Sequence, residues 1–395
     1  MLLAILVLTV GCSDDVDNDP RQKAIVELVP SASSFTDIEP ITRATSPSWA
    51  PTGYYLYDDL TGVNGVLASN TGAPIRVFFT QDGQNGSSDV IDDHRFSYHG
   101  KWVIDEEVEH GGVYQLYGIV PYSASTVAIE KYENFANGAK LTLNSLNSVM
   151  SQDVCVIVGA KHGTKVGDSD PVPATENSKV AAGDFNCQIS GGDNPNYIFL
   201  LFDHLYAALR FRFRVHEDYA ALRKIKLRKL ELLAYSDEEC TTLMTKHVST
   251  TITLRANNNG ASPIVGDINF SPVEGSDEMS PVLIFDSEVE LPSGKYPADY
   301  EVVELRGEDI YTDNMGFVPK TSSYYKLIST YDVYDTNNNL IRQNCIAKNK
   351  IDPRKQFNQN SLDRGYMYTL RFTVKPTYLY VLSEPDLDNP TMILN

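Results

Sequence analysis

FDHLYAALRFRFRV, residues 202–215, is the stretch on which the fold class turns. Apolar and basic residues alternate through its second half. Phe211, Phe213 and Val215 fall on one face, and Arg210, Arg212 and Arg214 on the other. A period of two is the signature of a strand, in which successive side chains point to opposite sides of a sheet. Such a strand suits an antiparallel sheet with one face on a core and one toward water. The arginine face then has two readings. It is the solvated outside of a sandwich strand, or, with Arg223, Lys224, Lys226, Arg228 and Lys229, a basic stripe that meets an acidic surface of a neighbouring subunit.

Working outward, strand patterns recur along the whole chain. They include YYLY after Gly53, IRVFFT from Ile75, HRFSYHGKWVI at 94–104, VYQLYGIVPY from Val113 and VCVIV from Val154. The second half adds YIFLLF from Tyr197, TITL from Thr251, VLIF from Val282, YYKLIST from Tyr324 and YMYTLRFTV after Gly365. Short runs of this density, parted by Gly, Asn, Asp and Pro, predict all-β sandwiches rather than βαβ units. Residues 217–222 are expected to make one helical turn before a strand. In that strand Ile225 and Leu227, then Leu230 and Leu232, share a face only if one bulge intervenes. GDFNCQISGGDNPN, residues 183–196, carries the turn residues of a domain seam.

Composition narrows the function. The 395 residues are 42% hydrophobic with no apolar stretch of about 20 after the leader, which suits two domains with their own cores. A net charge of -19 argues against nucleic acid as a partner, because phosphates are repelled at long range. Cys155, Cys187, Cys240 and Cys345 are too widely spaced for a zinc motif, and both disulfides and free thiols remain open for them. The sequence lacks the lipase elbow, the zincin helix, the dinucleotide fingerprint and the phosphate loop, so no enzyme, cofactor or metal is expected.

Two apparent metal motifs fail on geometry. His94, His99 and His110 lie among Asp92, Asp93, Glu106, Glu107 and Glu109, yet on one strand over 94–104 His94 and His99 would face opposite ways. Asp335, Asn337 and Asn339 begin like a calcium loop, but Leu340 replaces the sixth-position Gly and Ile346 the terminal Glu. A polar hairpin turn is predicted there instead.

The N-terminus carries an address. Residues 1–10 are almost wholly apolar but only about half of a membrane span, as in the core of an export signal. No Lys or Arg precedes them, which leaves the true start open. Gly11-Cys12 resembles the lipobox of bacterial lipoproteins, in which the cysteine is acylated and becomes the new N-terminus, although Thr9 stands where Leu is usual. An ordinary signal with a chance cysteine is the alternative. Ser13-Asp14-Asp15, with Asp17 and Asp19, resembles the surface-export signal of Bacteroidetes lipoproteins, and also reads as a plain acidic tether.

Several segments together resemble the fimbrillin family of Bacteroidetes, the subunits of surface fimbriae assembled from lipoprotein precursors. They are ITRA at 41–44, YGIVPY at 117–122, QDVCVIVGA at 152–160 and FDHLYAALRFRFRV itself, in the family's order. The resemblance implies an all-β chain with two β-sandwich domains of transthyretin-like topology in tandem. The expected division is a signal peptide at 1–11, a lipidated tether and removable segment at 12–43, and sandwiches at 44–190 and 191–395.

It also implies roles. Lipid is expected on Cys12, and cleavage by an arginine-specific protease after Arg43, with Arg21 a second candidate. The strand removed would be AIVELV at 24–29, and the donor would be Tyr378, Leu379, Tyr380, Val381 and Leu382 with the tail to Asn395. Pro385 and Pro390 argue against an uninterrupted strand beyond residue 384. The expected partners are other fimbrial subunits, the maturation protease, and a host or bacterial surface receptor. The expected location is the outer membrane as a lipoprotein precursor, then the cell-surface fimbrium.

Two rival functions stand beside this one. A monomeric glycan-binding lipoprotein would use some of the 23 tyrosines as sugar platforms. A hydrolase would draw carboxylates from separate strands.

Overall fold

A computed structural model describes residues 26–32, 36–38, 58–59, 74–98, 102–104, 112–164, 172–173, 185–187, 196–255, 263–292, 315–320, 323–378 and 385–394. In chain order β1 (Val26–Ala32), β2 (Thr36–Ile38) and β3 (Asp58–Asp59) come first. Then follow β4 (Ile75–Gln81), β5 (Val90–Tyr98), β6 (Trp102–Ile104), β7 (Gly112–Val120), β8 (Val127–Lys131), β9 (Gly138–Asn147) and β10 (Cys155–Thr164). After β11 (Val172–Pro173) and β12 (Phe185–Cys187), β13 (Asn196–His204) and β14 (Tyr206–Val215) are separated by Leu205 alone. Helix α1 (Glu217–Ala220) leads into β15 (Lys224–Tyr235), β16 (His247–Arg255), β17 (Ile264–Val265), β18 (Ser271–Pro272) and β19 (Val282–Glu290). The last elements are β20 (Met315–Pro319), β21 (Tyr324–Tyr334), β22 (Leu340–Ile351), α2 (Pro353–Phe357), β23 (Tyr366–Tyr378) and β24 (Pro385–Leu394).

The chain is all-β. A 10-stranded sheet runs β11-β10-β13-β1-β6-β5-β4-β7-β12, with β3 on β1, and β7 also pairs with β10 through Val120↔Cys155 and Ile119↔Val156. That extra pairing bends the sheet back on itself. Alternate residues of β4 and β7, among them Val77, Phe79, Tyr114 and Leu116, therefore meet Cys155, Ile157, Leu200 and Phe202 across one core. The other face of β7 and β10, with Tyr117, Ile119, Val154 and Val156, packs on a second sheet of order β17-β16-β9-β8 with β18 beside β16. Burial on both faces explains why YGIVPY and VCVIV read as nearly continuous apolar runs.

The second half forms its own sandwich. One layer is β2-β23-β14-β20 with β24 on β23, the other β19-β15-β21-β22. Phe211, Phe213 and Val215 of β14 and Leu370, Phe372 and Val374 of β23 point inward against Ile225, Leu227, Leu230, Leu327 and Val333. The strand in β15 breaks register between Leu227 and Lys229 against both its neighbours. This is the predicted bulge, and it keeps Leu227 and Leu230 on the same buried face. α1 is the predicted single turn, with His216 as its N-cap.

Two expectations are corrected and one holds. Residues 94–104 are not one strand. Phe96 pairs with Ile104 and Tyr98 with Trp102, so β5 and β6 form a hairpin across the segment that holds Gly100. The tail beyond residue 384 forms a strand, but an interrupted one, as its prolines imply: β24 pairs with β23 at Tyr378↔Pro385 and Thr377↔Asp386, breaks register, and resumes from Pro376↔Pro390 to Phe372↔Leu394, with β23 its only strand partner among the described residues. The arginine face of β14 is only partly solvated, as set out below.

The seam expected at 183–196 contains β12 and ends at the first residue of β13. Strands from both sides of it share sheets, since β13 pairs with β10 and β16 returns to pair with β9.

Candidate functional site

β1 lies inside the large sheet, between β13 and β6. Its seven residues pair in parallel with β13, from Val26↔Asn196 to Ala32↔Phe202. On its other side Glu27 and Leu28 pair antiparallel with Val103 and Trp102 of β6. β1 is thus an interior strand that joins the β10-β13 half of the bent sheet to the β6-β5-β4-β7 half. Taking it out would leave unpaired backbone N–H and C=O groups on two sides, a template for an extended segment. β2 follows on the same N-terminal segment and lies parallel to β23 in the other sandwich, Asp37 opposite Met367.

Beside that slot two of the quoted motifs meet. Cys155 of QDVC and His204 of FDH stand opposite each other on β10 and β13. His204 Nδ1 bonds the Asp153 carboxylate through Oδ2, and the Cys155 Sγ lies 3.4 Å from both the ring nitrogen and that oxygen. All three side chains are buried. The neighbouring Asp203 is bonded by Arg364, which also donates to the His204 carbonyl at 3.2 Å. Leu205 N–H donates to the Val154 carbonyl at 2.8 Å, so the crossing from β13 to β14 is tied down on each side. Chain pattern alone did not reveal this pairing, because Asp153 and His204 are 51 residues apart.

The cluster is not a catalytic triad. Both contacts converge on one nitrogen of His204, so the ring cannot relay a proton between Cys155 and Asp153. Burial, reinforced by the Asp153 charge, pushes the Cys155 thiol well up and keeps it protonated. Cys155, Cys240 and Cys345 are free and buried.

The basic residues do not form one stripe. On β14, Arg210 Nε donates to Thr369 Oγ1 and Arg214 Nε to Thr373 Oγ1, both at 3.1 Å, while Arg212 faces Arg371 in the parallel register. Arg212 and Arg371 are each only 7% exposed while Arg210 and Arg214 are half-buried, so the middle of this face is covered and its flanks are not. Lys226 and Arg228 belong to the opposite layer and are held by Glu288, Lys226 at 2.7 Å. The hydrogen bond from Lys226 holds the Glu288 carboxyl below its usual range. Lys224 donates to Asn338 at 2.8 Å.

Other expected candidates resolve into structure. His94 is buried edge-on to Phe79. Asp335 accepts from the backbone N–H groups of Asn337 and Asn339, both at 2.8 Å, closing the β21–β22 hairpin as predicted. Tyr114, Tyr117, Tyr206, Tyr219, Tyr325 and Tyr368 are fully buried, and the hydroxyls of Tyr117 and Tyr206 donate to main-chain carbonyls. Tyrosines in this state offer no platform to a sugar. A cleft of about 260 Å³ lined by Asn147, Met150, Gln152, Lys246 and Met279 has Lys246 as its one titratable side chain. Cys12, Arg21, Arg43, His99, His110 and Leu379 to Leu382 lie outside the described residues, and Tyr378 is the last residue of β23.

No family model and no curated protein matches the chain. Among solved structures it is similar to a fimbrial protein from Bacteroides vulgatus, with 10% identity over 84% of this chain and 93% of that one and a TM-score of 0.33. It is also similar to a Bacteroides fragilis protein with a proposed role in cell adhesion, with 12% identity over 94% and 97% of the two chains and a TM-score of 0.37. A Bacteroides ovatus fimbrial protein is matched at 10% identity over 89% of this chain and 48% of that one, with a TM-score of 0.29.

Proposed function

We propose that this chain is a structural or adhesive subunit of cell-surface fimbriae, exported as a lipoprotein on Cys12 and polymerised by strand exchange after cleavage at Arg43. The single observation that carries the reading is the interior place of β1. A strand that precedes Arg43 in the chain fills the middle of a sheet, between β13 on one side and β6 on the other. Cleavage after Arg43 would free both β1 and β2 from their covalent connection to the body of the protein. The slot left by β1 would accept a segment from a second subunit, parallel to β13 and antiparallel to β6.

The tail is the natural donor. β24 holds to its own sheet through β23 alone among the described residues, and its Pro385 and Pro390 carry no backbone donor. Releasing it therefore costs fewer hydrogen bonds than releasing an interior strand. In this reading β24 leaves β23, and Tyr378 to Leu382 with the tail after them enter the slot of the next subunit. An arginine-specific protease and other fimbrial subunits are the required partners, and a surface receptor meets the finished fibre. No catalytic step is assigned to the protein.

The test is the N-terminal sequence and native mass of the protein recovered from the outer surface of the cells. A chain beginning at Ala44 in high-mass assemblies is expected, and Arg43→Ala should hold it as a monomer. A lipidated monomer that still begins at Cys12 would overturn the reading in favour of a monomeric glycan-binding lipoprotein.

A further inference from the structure

We infer that Asp153, Cys155 and His204 form a structural zinc site at the junction of β10 and β13. The assignment stands on the donor set and its geometry, and does not depend on the fimbrial reading. A thiol sulfur, an imidazole nitrogen and a carboxylate oxygen lie within 4.8 Å of one another in a buried pocket. Thiolate with imidazole is the donor chemistry of zinc and excludes calcium and magnesium, which take oxygen ligands. In a tetrahedral zinc site the sulfur and nitrogen ligands stand about 3.5 Å apart. Here Cys155 Sγ is 3.4 Å from His204 Nδ1 and 3.4 Å from Asp153 Oδ2. Only the His204–Asp153 separation must open for an ion to sit between them.

A second observation points the same way. The other carboxylate oxygen of Asp153, Oδ1, is buried and accepts no hydrogen bond. An orphaned buried oxygen is costly, and it can fill the remaining zinc position or hold a water there. The charges also close. Zinc binding displaces the Cys155 thiol proton to solvent, and the thiolate and the Asp153 carboxylate then neutralise the two positive charges of the ion. His204 binds through Nδ1 with its proton on Nε2. Asp203, the other acid at the junction, is already bonded by Arg364. A neutral site is what a buried position tolerates.

The ligands come from a position just before β10 and from the two strands themselves, so the ion loads as those strands pair. It would pin the end of β13, the strand against which β1 lies.

The test uses the full-length chain, dialysed against zinc and then freed of excess. About one zinc ion per chain is expected by elemental analysis, with a raised Tm that a chelator reverses. Cobalt in place of zinc should give visible d–d bands and a near-ultraviolet thiolate charge-transfer band. Cys155→Ser should abolish the charge-transfer band, and His204→Ala or Asp153→Asn should lower retained zinc at least tenfold. Cobalt spectra of the unaltered chain decide the matter should a variant fail to fold. A metal-free chain with no cobalt bands, or unchanged zinc in Cys155→Ser, would overturn the assignment.

Discussion

The two halves of the molecule use the same strand chemistry to different ends. The second sandwich is nearly self-contained. Its core is one continuous cluster drawn from β14, β15, β19, β21 and β23, and the N-terminal segment adds only β2, three residues at an edge of β23. The bent sheet of the first half takes β1 into its interior, between β13 and β6. A strand at an edge can leave without unpairing its neighbours from one another, whereas an interior strand cannot. Loss of the N-terminal strands should therefore disturb the first half more than the second.

Deleting residues 1–43 should break this comparison most sharply. Seven paired residues at about 1 kcal/mol per net hydrogen bond amount to on the order of 5–7 kcal/mol of local stability. Hydrogen exchange should accelerate strongly in β13 and β6 while β14, β15 and β21 stay protected. A peptide with the sequence of residues 24–32 added in trans should restore protection. Uniform protection in the truncated chain would show that the two halves depend on β1 alike.

Paired core truncations come next. Phe213→Ala removes a ring stacked on Phe372 at 4.9 Å, and Phe79→Ala one packed against His94, Phe96 and Tyr114. Each should cost about 3–5 kcal/mol. Calorimetry should show Phe213→Ala lowering the transition of the second sandwich and Phe79→Ala that of the first. A single shared transition in both variants would mean that β16, which pairs with β9 across the halves, couples them into one unit.

A smaller effect separates the halves by pH. Burial raises the Tyr331 phenol to about 12 from 10.0. The folded state then holds a proton that the unfolded state has lost, so the contribution is intact below pH 10 and declines as pH rises toward 12. Tyr331→Phe should flatten that part of the alkaline unfolding curve of the second sandwich. The smallest effect belongs to the β21–β22 turn. Hydrogen bonds from Asn339, then Asn337, lower the Asp335 carboxyl below 3.8. Its support is present above that value and fades as pH falls through the lowered one. Asp335→Ala should remove this acid sensitivity, read by exchange at Asn337 and Asn339, without touching the first half.

Much of the fold was legible locally. The alternation in β14, the bulge between Leu227 and Lys229, the single turn of α1 and the Asp335 hairpin all follow from side chains within a few residues of each other. The misread positions lie in long-range pairings. Residues 94–104 divide into a hairpin, with β6 pairing with β5 on one side and β1 on the other. Arg212, buried where local alternation placed a solvated side chain, stands beside Arg371, 159 residues later, in the parallel pair of β14 and β23.

The same division holds for function. The address and processing site proposed for residues 1–43 rest on chain order alone, since a leader, Cys12, the acidic run and Arg43 are read as linear signals. Local alternation likewise determined that this is a β protein, because a period of two survives in any sheet arrangement. Only the tertiary structure decided that β1 is interior, that β16 crosses back to β9, and that Asp153, Cys155 and His204 converge. Strand pairing depends on register between distant segments, and no local pattern encodes which partner is reached when the chain folds back.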